Sequence, residues 1–217
     1  MSTTLRLPKV FVLGSSQTIQ FGPYLEKELD GRFRYDRKRD SGGERAEDNL
    51  DIPQGASGGD SSMVLAYLRQ RRLHDPIDAD ILLLQCGLHD IKTDPATGRK
   101  QVSIDRFESN LREALKEASL LGLKVVWLRI TPVVDEIHNV RSNSFHRFAA
   151  DAAAYNAVAD RITREAGTAV IDMSPLCESL IPEAFIDHIH YDHPTRQAQA
   201  RFIATELSRH SPNPTTP

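Results

Sequence analysis

Four short apolar runs, separated by longer segments with helical spacing, constrain the fold of this chain more than any other feature. The runs are KVFVLG at 9–14, ADILLLQCG at 79–87, KVVWLRI at 124–130 and TAVIDM at 168–173, with a weaker strand candidate at 33–36. Continuous apolar stretches of this length are typical of strands buried on both faces, as in a parallel sheet. Apolar residues recur with helical period in the segments 58–73, 103–121 and 145–166. The alternation predicts a three-layer α/β domain.

The length of the chain, 217 residues, fits one such domain. A domain of this size buries roughly 70% of its unfolded surface without disulfides or metals. We expect residues 1–210 to form one domain that closes with a helix after Pro194, and SPNPTTP at 211–217 to be a flexible tail. In open α/β sheets, ligands bind beyond the carboxyl ends of the strands. The loops that follow the apolar runs are therefore the place to look for a site.

Composition excludes several classes of partner. Lys and Arg number 27 against 30 Asp and Glu, so the formal net charge of −3 provides no basic field for nucleic acid. No window approaches the ~20 apolar residues of a membrane span, and no signal-peptide pattern is evident, so a cytoplasmic protein is expected. Cys86 and Cys177 are predicted to be free thiols, as in a reducing compartment. Oligomeric state is not fixed by these features.

Serines and glycines follow the early apolar runs. In GSSQT a strand ends at Gly14, and Ser15 or Ser16 then stands in a strand-to-helix turn. A serine there is either an exposed nucleophile beside helix amides that stabilise an oxyanion, or an N-cap. The loop QGASGGDSS at 54–62 offers backbone N–H groups to an anion, or is a turn capped by Asp60 or Ser61.

Histidines and aspartates follow the later runs. CGLHD places His89 and Asp90 at the edge of the sheet, and in DHIH the residues Asp187 and His190 are three apart. That spacing lets a turn bring a carboxylate against an imidazole, as serine catalysis requires. Two other interpretations remain open, a polar loop and a metal site. The competent metal ligands would be His188, His190, Asp192 and His193.

Taken in order, LGSSQT, QGASG, CGLHD and DHIH resemble the four motif blocks of the SGNH, or GDSL-like, hydrolase superfamily, from about residue 9 to about 207. The resemblance implies a flavodoxin-like α/β/α fold with a five-stranded parallel sheet, and ester hydrolysis without a cofactor or metal. The form Gly-Leu-His-Asp of the third block resembles one subgroup of this superfamily, in which histidine is the normal residue.

Carried onto this sequence, the resemblance implies a catalytic triad of Ser16, Asp187 and His190. It implies an oxyanion hole made of Ser16, Gly58 and His89, with Gly59 as a one-residue alternative to Gly58. Histidine stands where the superfamily's third block has the asparagine donor, and a neutral imidazole still offers one N–H. His193 is the rival base, but the residue three before it is His190 and not an aspartate. Substrate contacts are expected from Gln17, Asp90 and His193.

The resemblance leaves the substrate open. Polar residues in the expected mouth loops, such as Arg37 and Arg141, favour a short acyl group on a carbohydrate-like or other polar carrier, and hence an O-acetyl esterase. A lipase or thioesterase is the first alternative. The others are a non-catalytic binding module that keeps the fold, and a nucleotide- or flavin-binding protein, although GSSQT lacks a Walker-type lysine and no GxGxxG follows the first strand. The expected partner is a small-molecule or saccharide ester, with no nucleic acid.

Overall fold

The computed structural model describes residues 6–210. The strands are β1 (Lys9–Leu13), β2 (Arg34–Arg37), β3 (Ile81–Leu84), β4 (Lys124–Leu128) and β5 (Ala169–Ile171). The helices are α1 (Ser16–Leu29), α2 (Ser61–His74), α3 (Ile104–Leu120), α4 (Asp135–Arg141), α5 (Ala149–Glu165), α6 (Ser174–Glu178) and α7 (His193–His210). The predicted tail at 211–217 lies outside the described residues. No helix within 6–210 is long and apolar enough to cross a membrane.

All five strands form one parallel sheet in the order β2-β1-β3-β4-β5. Side chains alternate between its two faces, as strand geometry requires. Phe11 and Leu13 of β1 join one hydrophobic cluster, whereas Val10 and Val12 join the other. The sheet is therefore buried on both faces, which explains why its strands are continuous apolar runs in the sequence.

Helices cover both faces of the sheet. α2, α3 and α5 supply residues such as Leu68, Phe107 and Tyr155 to one cluster, and α1 and α7 supply residues such as Leu25 and Ile203 to the other. This confirms the predicted three-layer α/β/α fold with five parallel strands. The sequence pattern did not indicate the short helices α4 and α6, because neither is long enough for a helical period to emerge.

The strand order fixes where a ligand site lies. The chain runs from β1 outward to β2 and then crosses to β3 on the other side of β1, so the sheet has its topological switch point between β1 and β3. The loops after these two strands contain Ser16 and His89. Two of the sequence-predicted site residues are thus placed in the crevice where such sheets bind ligands.

Candidate active site

The serine loop places one hydroxyl at the beginning of a helix. Ser16 is the first residue of α1, so its N–H is among the donors that have no partner within the helix. Ser15 stands at the N-cap position without a side-chain capping bond, and its hydroxyl donates to Gln85 Oε1 at 2.8 Å. Ser15 is therefore the N-cap residue by position but does not cap α1 with its side chain, and Ser16 Oγ is available for other contacts.

The loop before α7 forms the turn that the Asp-x-x-His spacing predicted. Asp187 Oδ1 accepts the N–H groups of Ile189 at 2.8 Å and His190 at 2.7 Å, while Asp187 Oδ2 lies 2.6 Å from His190 Nδ1. Burial alone would raise the pKa of Asp187, but the hydrogen bond from His190 and these backbone bonds outweigh it and hold the pKa well below its ordinary value. Asp187 is therefore ionised at neutral pH.

Ser16, His190 and Asp187 form one hydrogen-bonded line. Ser16 Oγ lies 2.7 Å from His190 Nε2, although the two residues are 174 positions apart in sequence. An ionised carboxylate only accepts hydrogen bonds, so Nδ1 of His190 carries the proton and Nε2 accepts the Ser16 hydroxyl. The imidazole is 1% exposed. This is the geometry in which histidine acts as a general base toward a serine.

The remaining histidines of this loop are engaged elsewhere. His188 Nε2 lies 3.1 Å from Asp51 Oδ1, and its ring contacts those of His138 and His190 edge to face. Exposed His193 begins α7 and shares a 2.7 Å hydrogen bond between Nδ1 and the hydroxyl of Tyr24. Within residues 6–210, no group of three His, Cys, Asp or Glu side chains is arranged to hold a metal ion.

The glycine loop was expected to supply the N–H of Gly58 to the oxyanion hole, with Gly59 as the alternative. The Gly58 N–H donates to Gly14 O at 2.7 Å, which removes it from the predicted oxyanion hole. The Gly59 N–H has a longer bond of 3.2 Å to the hydroxyl of Ser57. Gly59 also has φ +71°, and an added Cβ would lie 2.5 Å from Met63 Sδ, so this position requires glycine. With two adjacent glycines in the motif, only backbone geometry distinguishes them.

Two charged residues from the basic run at 32–40 hold the glycine loop in place. Lys38 Nζ donates to Gly55 O and, at 2.8 Å, to Ser57 O. Asp40 Oδ1 accepts the N–H of Ala56 at 2.7 Å. Part of this basic run thus orders the backbone of the glycine loop.

His89 lies in the interior next to the triad. It is 1% exposed, and its Nδ1 is enclosed without a hydrogen-bond partner among the described residues. Burial, followed by the charges of Lys92 and Arg147, lowers the pKa of His89 well below its ordinary value, and His190 adds to this effect. The imidazole is therefore neutral and carries a single N–H.

Two of the expected substrate contacts are interior residues, and that expectation is wrong for both. Gln17 is 2% exposed, and its amide donates to Ile189 O at 3.2 Å and accepts from Thr131 Oγ1 at 2.9 Å. Asp90 is fully buried, and both carboxylate oxygens accept the N–H of Ser61 at 3.0 Å. Both side chains connect site loops to one another, because a polar residue at a sheet edge faces inward when a loop folds over it.

The segment after β4 contributes two arginines, Arg141, which the sequence placed in a mouth loop, and Arg147, which it did not single out. Arg141 Nη1 donates to Asp187 O at 2.7 Å, and Arg147 Nε donates to Leu88 O at 2.6 Å. Arg147 is 3% exposed, and its Nη1 donates to His138 Nε2 at 2.9 Å. Each arginine thus fixes a peptide next to a site residue. Backbone carbonyls carry no sequence signature, so this pairing is visible only in the fold.

Burial explains the protonation states around Arg147. It lowers the pKa of this guanidinium to about 10, and it lowers the pKa of His138 to about 3, to which the nearby Arg147 charge also contributes. His138 is therefore neutral at physiological pH, and its Nε2 is the acceptor that Arg147 needs. The buried positive charge of Arg147 is therefore held by two neutral acceptors, Leu88 O and His138 Nε2.

The family model for the GDSL-like lipase/acylhydrolase family matches residues 12–201. Solved structures with the same fold include the lipase/acylhydrolase of Enterococcus faecalis, at 14% identity and TM-score 0.68 over 97% of this chain and 100% of that one. An acetylxylan esterase of Geobacillus stearothermophilus aligns at 18% identity and TM-score 0.63, over 94% and 96% of the two chains. The acetyl xylan esterase AlAXEase aligns at 15% identity and TM-score 0.62, over 93% and 98%.

A comparison with curated proteins found no match. The family match covers far more than half of the chain and includes the loops of Ser16, Gly59, His89 and His190. With its three-layer fold, the chain therefore belongs to the GDSL-like lipase/acylhydrolase family and is a carboxylic ester hydrolase.

Proposed function

We propose that the protein is a serine esterase that removes short acyl groups, acetyl in particular, from a carbohydrate-like or other polar carrier. The observation that carries the serine mechanism is the hydrogen-bonded line from Ser16 Oγ through His190 to Asp187, with distances of 2.7 and 2.6 Å. Support for the acetyl group comes from two of the similar structures, which are described as acetyl xylan esterases. Polar residues such as Asn49 and Gln101 line a cavity near the triad and favour a hydrophilic carrier.

In the proposed cycle, His190 accepts the proton of Ser16 as its oxygen attacks the ester carbonyl. Asp187 holds the imidazole in the required tautomer and stabilises its protonated form. The protonated His190 then gives its proton to the leaving alcohol, and an acyl-serine remains. Water, deprotonated by the same histidine, releases the acid and restores the hydroxyl of Ser16.

The proposed oxyanion hole consists of the N–H groups of Ser16 and Gly59 and the imidazole of His89. Gly59 replaces the expected Gly58, because the Gly58 N–H is bound to Gly14 O. His89 is suited to the role because it is buried beside His190 and remains neutral, so its one N–H does not change with pH across the working range. Donors fixed before the reaction are the kind that stabilise the developing charge most strongly.

A fluorophosphonate probe tests the nucleophile without knowledge of the substrate. We expect the wild-type protein to be labelled on Ser16 and the Ser16→Ala variant not to be labelled. Ser15→Ala is the matched control, because it removes a neighbouring hydroxyl that donates to Gln85. Equal labelling of wild type and Ser16→Ala would contradict the mechanism.

An ester panel tests the acyl group. We expect kcat/KM to fall from 4-nitrophenyl acetate to the butyrate and octanoate, and we expect release of acetate from acetylated xylooligosaccharides. A preference for octanoate would replace the proposal with a lipase-type activity.

A further inference from the structure

A polar cavity lies beside the triad and takes no part in the proposed chemistry. It has a volume of about 760 Å³ and is bounded by the loops that follow the 3₁₀ helix Ala46–Asp48, β3 and β4. Asp51 lies in its wall and bonds His188, whose ring centre is 5.9 Å from that of His190. His188 thus links Asp51, in the wall of this cavity, to His190.

The acidic groups of the cavity already have partners within the protein. Asp51 Oδ1 lies 3.1 Å from His188 Nε2. Asp94 Oδ1 accepts the N–H groups of Ala96 at 2.8 Å and Thr97 at 3.1 Å. Both carboxylates are therefore engaged in holding the walls of the cavity.

The basic groups retain unused donors. Lys92 is 8% exposed, donates one hydrogen bond to Asp51 O, lies 4.2 Å above the ring of Phe145, and forms no ion pair within residues 6–210. Arg99 is exposed on the rim and has no side-chain hydrogen bond or ion pair to any residue in the described part of the chain. Lys100 differs from both because it pairs with Asp151 at 3.0 Å.

A buried ammonium without a carboxylate partner is unusual, because removing the charge from water costs several kcal/mol. Burial lowers the pKa of Lys92 to about 8, with the charge of Arg147 contributing, so this amine is still mostly protonated at pH 7. Arg147 is also buried and forms no ion pair within residues 6–210. Lys92 and Arg99 are therefore two basic side chains of this cavity without an ion-pair partner within residues 6–210, and an anionic ligand would supply one.

We propose that the cavity binds the alcohol part of the ester, and that this part carries a carboxylate held by Lys92 and Arg99. The substrate class is then the acylated sugar acid rather than the neutral sugar. The inference rests on the proposed function, since it names the carrier for the same triad. The guanidinium of Arg99 presents paired donors that match a carboxylate, and Lys92 supplies a second charge in the lining of the same cavity.

A matched pair of substrates tests the proposal: O-acetyl glucuronic acid and its amide, O-acetyl glucuronamide. They differ in charge at one carbon and share the scissile ester. We expect wild type to prefer the acid by roughly 10- to 100-fold in kcat/KM, as hydrogen bonds to a charged group imply. Added salt is expected to reduce the preference, because the rim charge of Arg99 is screened.

Variants identify the residues responsible. Arg99→Gln and Lys92→Met are each expected to lower the acid-to-amide ratio by about 10-fold. Arg99 is exposed, so its variant tests the site even if Lys92→Met fails to fold. Lys100→Gln is the matched control from the same cavity, and we expect it to keep the wild-type ratio because Lys100 is already paired with Asp151.

The possible outcomes separate the two proposals. A wild-type ratio near one, with both esters turned over, would overturn the sugar-acid inference and leave the esterase intact. A preference that survives in both Arg99→Gln and Lys92→Met would also overturn it. If no ester is hydrolysed and Ser16 is not labelled by a fluorophosphonate, the proposed function fails, and this inference fails with it.

Discussion

The proposed triad and the proposed oxyanion hole of this protein are built in different ways. The triad consists of side chains that bond directly to one another, Ser16 to His190 and His190 to Asp187. The oxyanion donors do not bond to one another, and their positions depend on surrounding residues that hold the backbone, such as Lys38 and Arg147. The triad depends on the identity of three side chains and can therefore be found as sequence motifs. The oxyanion hole depends on backbone positions that are held by contacts spread over the chain.

The largest expected effect comes from replacing His190, and it distinguishes this residue from His193 as the general base. His190→Ala should reduce kcat/KM for 4-nitrophenyl acetate by roughly 10⁴-fold or more, because the nucleophile loses its proton acceptor. His193→Ala, the matched control, should cost less than about 10-fold. Steady-state kinetics of both variants measure this. A larger loss for His193→Ala would move the base to that residue.

The next largest effect on the rate is expected from replacing His89, a proposed donor of the oxyanion hole. His89→Ala should lower kcat by roughly 100- to 1,000-fold, the usual cost of one oxyanion donor. His89→Asn should retain most of the rate, since an amide also presents an N–H. Because the buried imidazole is neutral, the asparagine variant should have the same pH profile as wild type. Equal rates in all three proteins would exclude His89 from the hole.

A smaller effect is expected from the arginine that supports His89. Arg147→Met should lower kcat about 10-fold with little change in KM, because the peptide between Leu88 and His89 is no longer fixed. If Arg147 acts through His89, the same substitution should cost less when made in His89→Ala, which a double-mutant cycle measures. Arg147→Lys keeps the positive charge, so any fall in kcat in this variant measures how much depends on the geometry of the guanidinium. Full additivity would indicate a purely structural role.

The last effect is on stability and not on catalysis, and it concerns Asp90, which joins the third-block loop to α2. Burial raises the pKa of Asp90 to about 7, against the opposing hydrogen bonds from Ser61. A raised pKa means that the folded state holds the proton more tightly than the unfolded chain. This contribution to stability is fully present below pH ~4 and is lost as the pH rises through about 7.

Asp90→Asn removes the titration and keeps an acceptor for Ser61. The unfolding free energy of wild type should therefore fall relative to that of the variant between pH ~4 and about 7, by about 1.4 kcal/mol per pH unit, and the difference should level off at higher pH. Urea unfolding at several pH values in this range measures it. The same pH dependence in both proteins would contradict the buried titration.

The strands and the Asp187–His190 pair were predictable because each leaves a local pattern, whereas Ser16 was implied by the resemblance to the superfamily's first motif block. Double burial makes β1, β3 and β4 continuous apolar runs, and the Asp-x-x-His spacing is set by a single turn around Asp187. Prediction failed where neighbours with the same chemistry differ only in orientation. Gly58 and Gly59 are both glycines, so the sequence could not choose between them. Gln17 and Asp90 are polar residues close to the site in sequence, but their side chains bond to interior partners.

The sequence by itself predicted the three-layer fold from its hydrophobic period, and its resemblance to the superfamily's motif blocks implied Ser16 as nucleophile with Asp187 and His190 as its acid-base pair. Only the tertiary structure decided which glycine N–H is bound to a backbone carbonyl, which polar residues are interior, and which cations near the site have no ion pair within residues 6–210. Those properties depend on contacts between residues far apart in the chain, such as Arg147 with Leu88 and Asp51 with His188. Such contacts arise when separate loops meet at one edge of a sheet, and no local pattern encodes them.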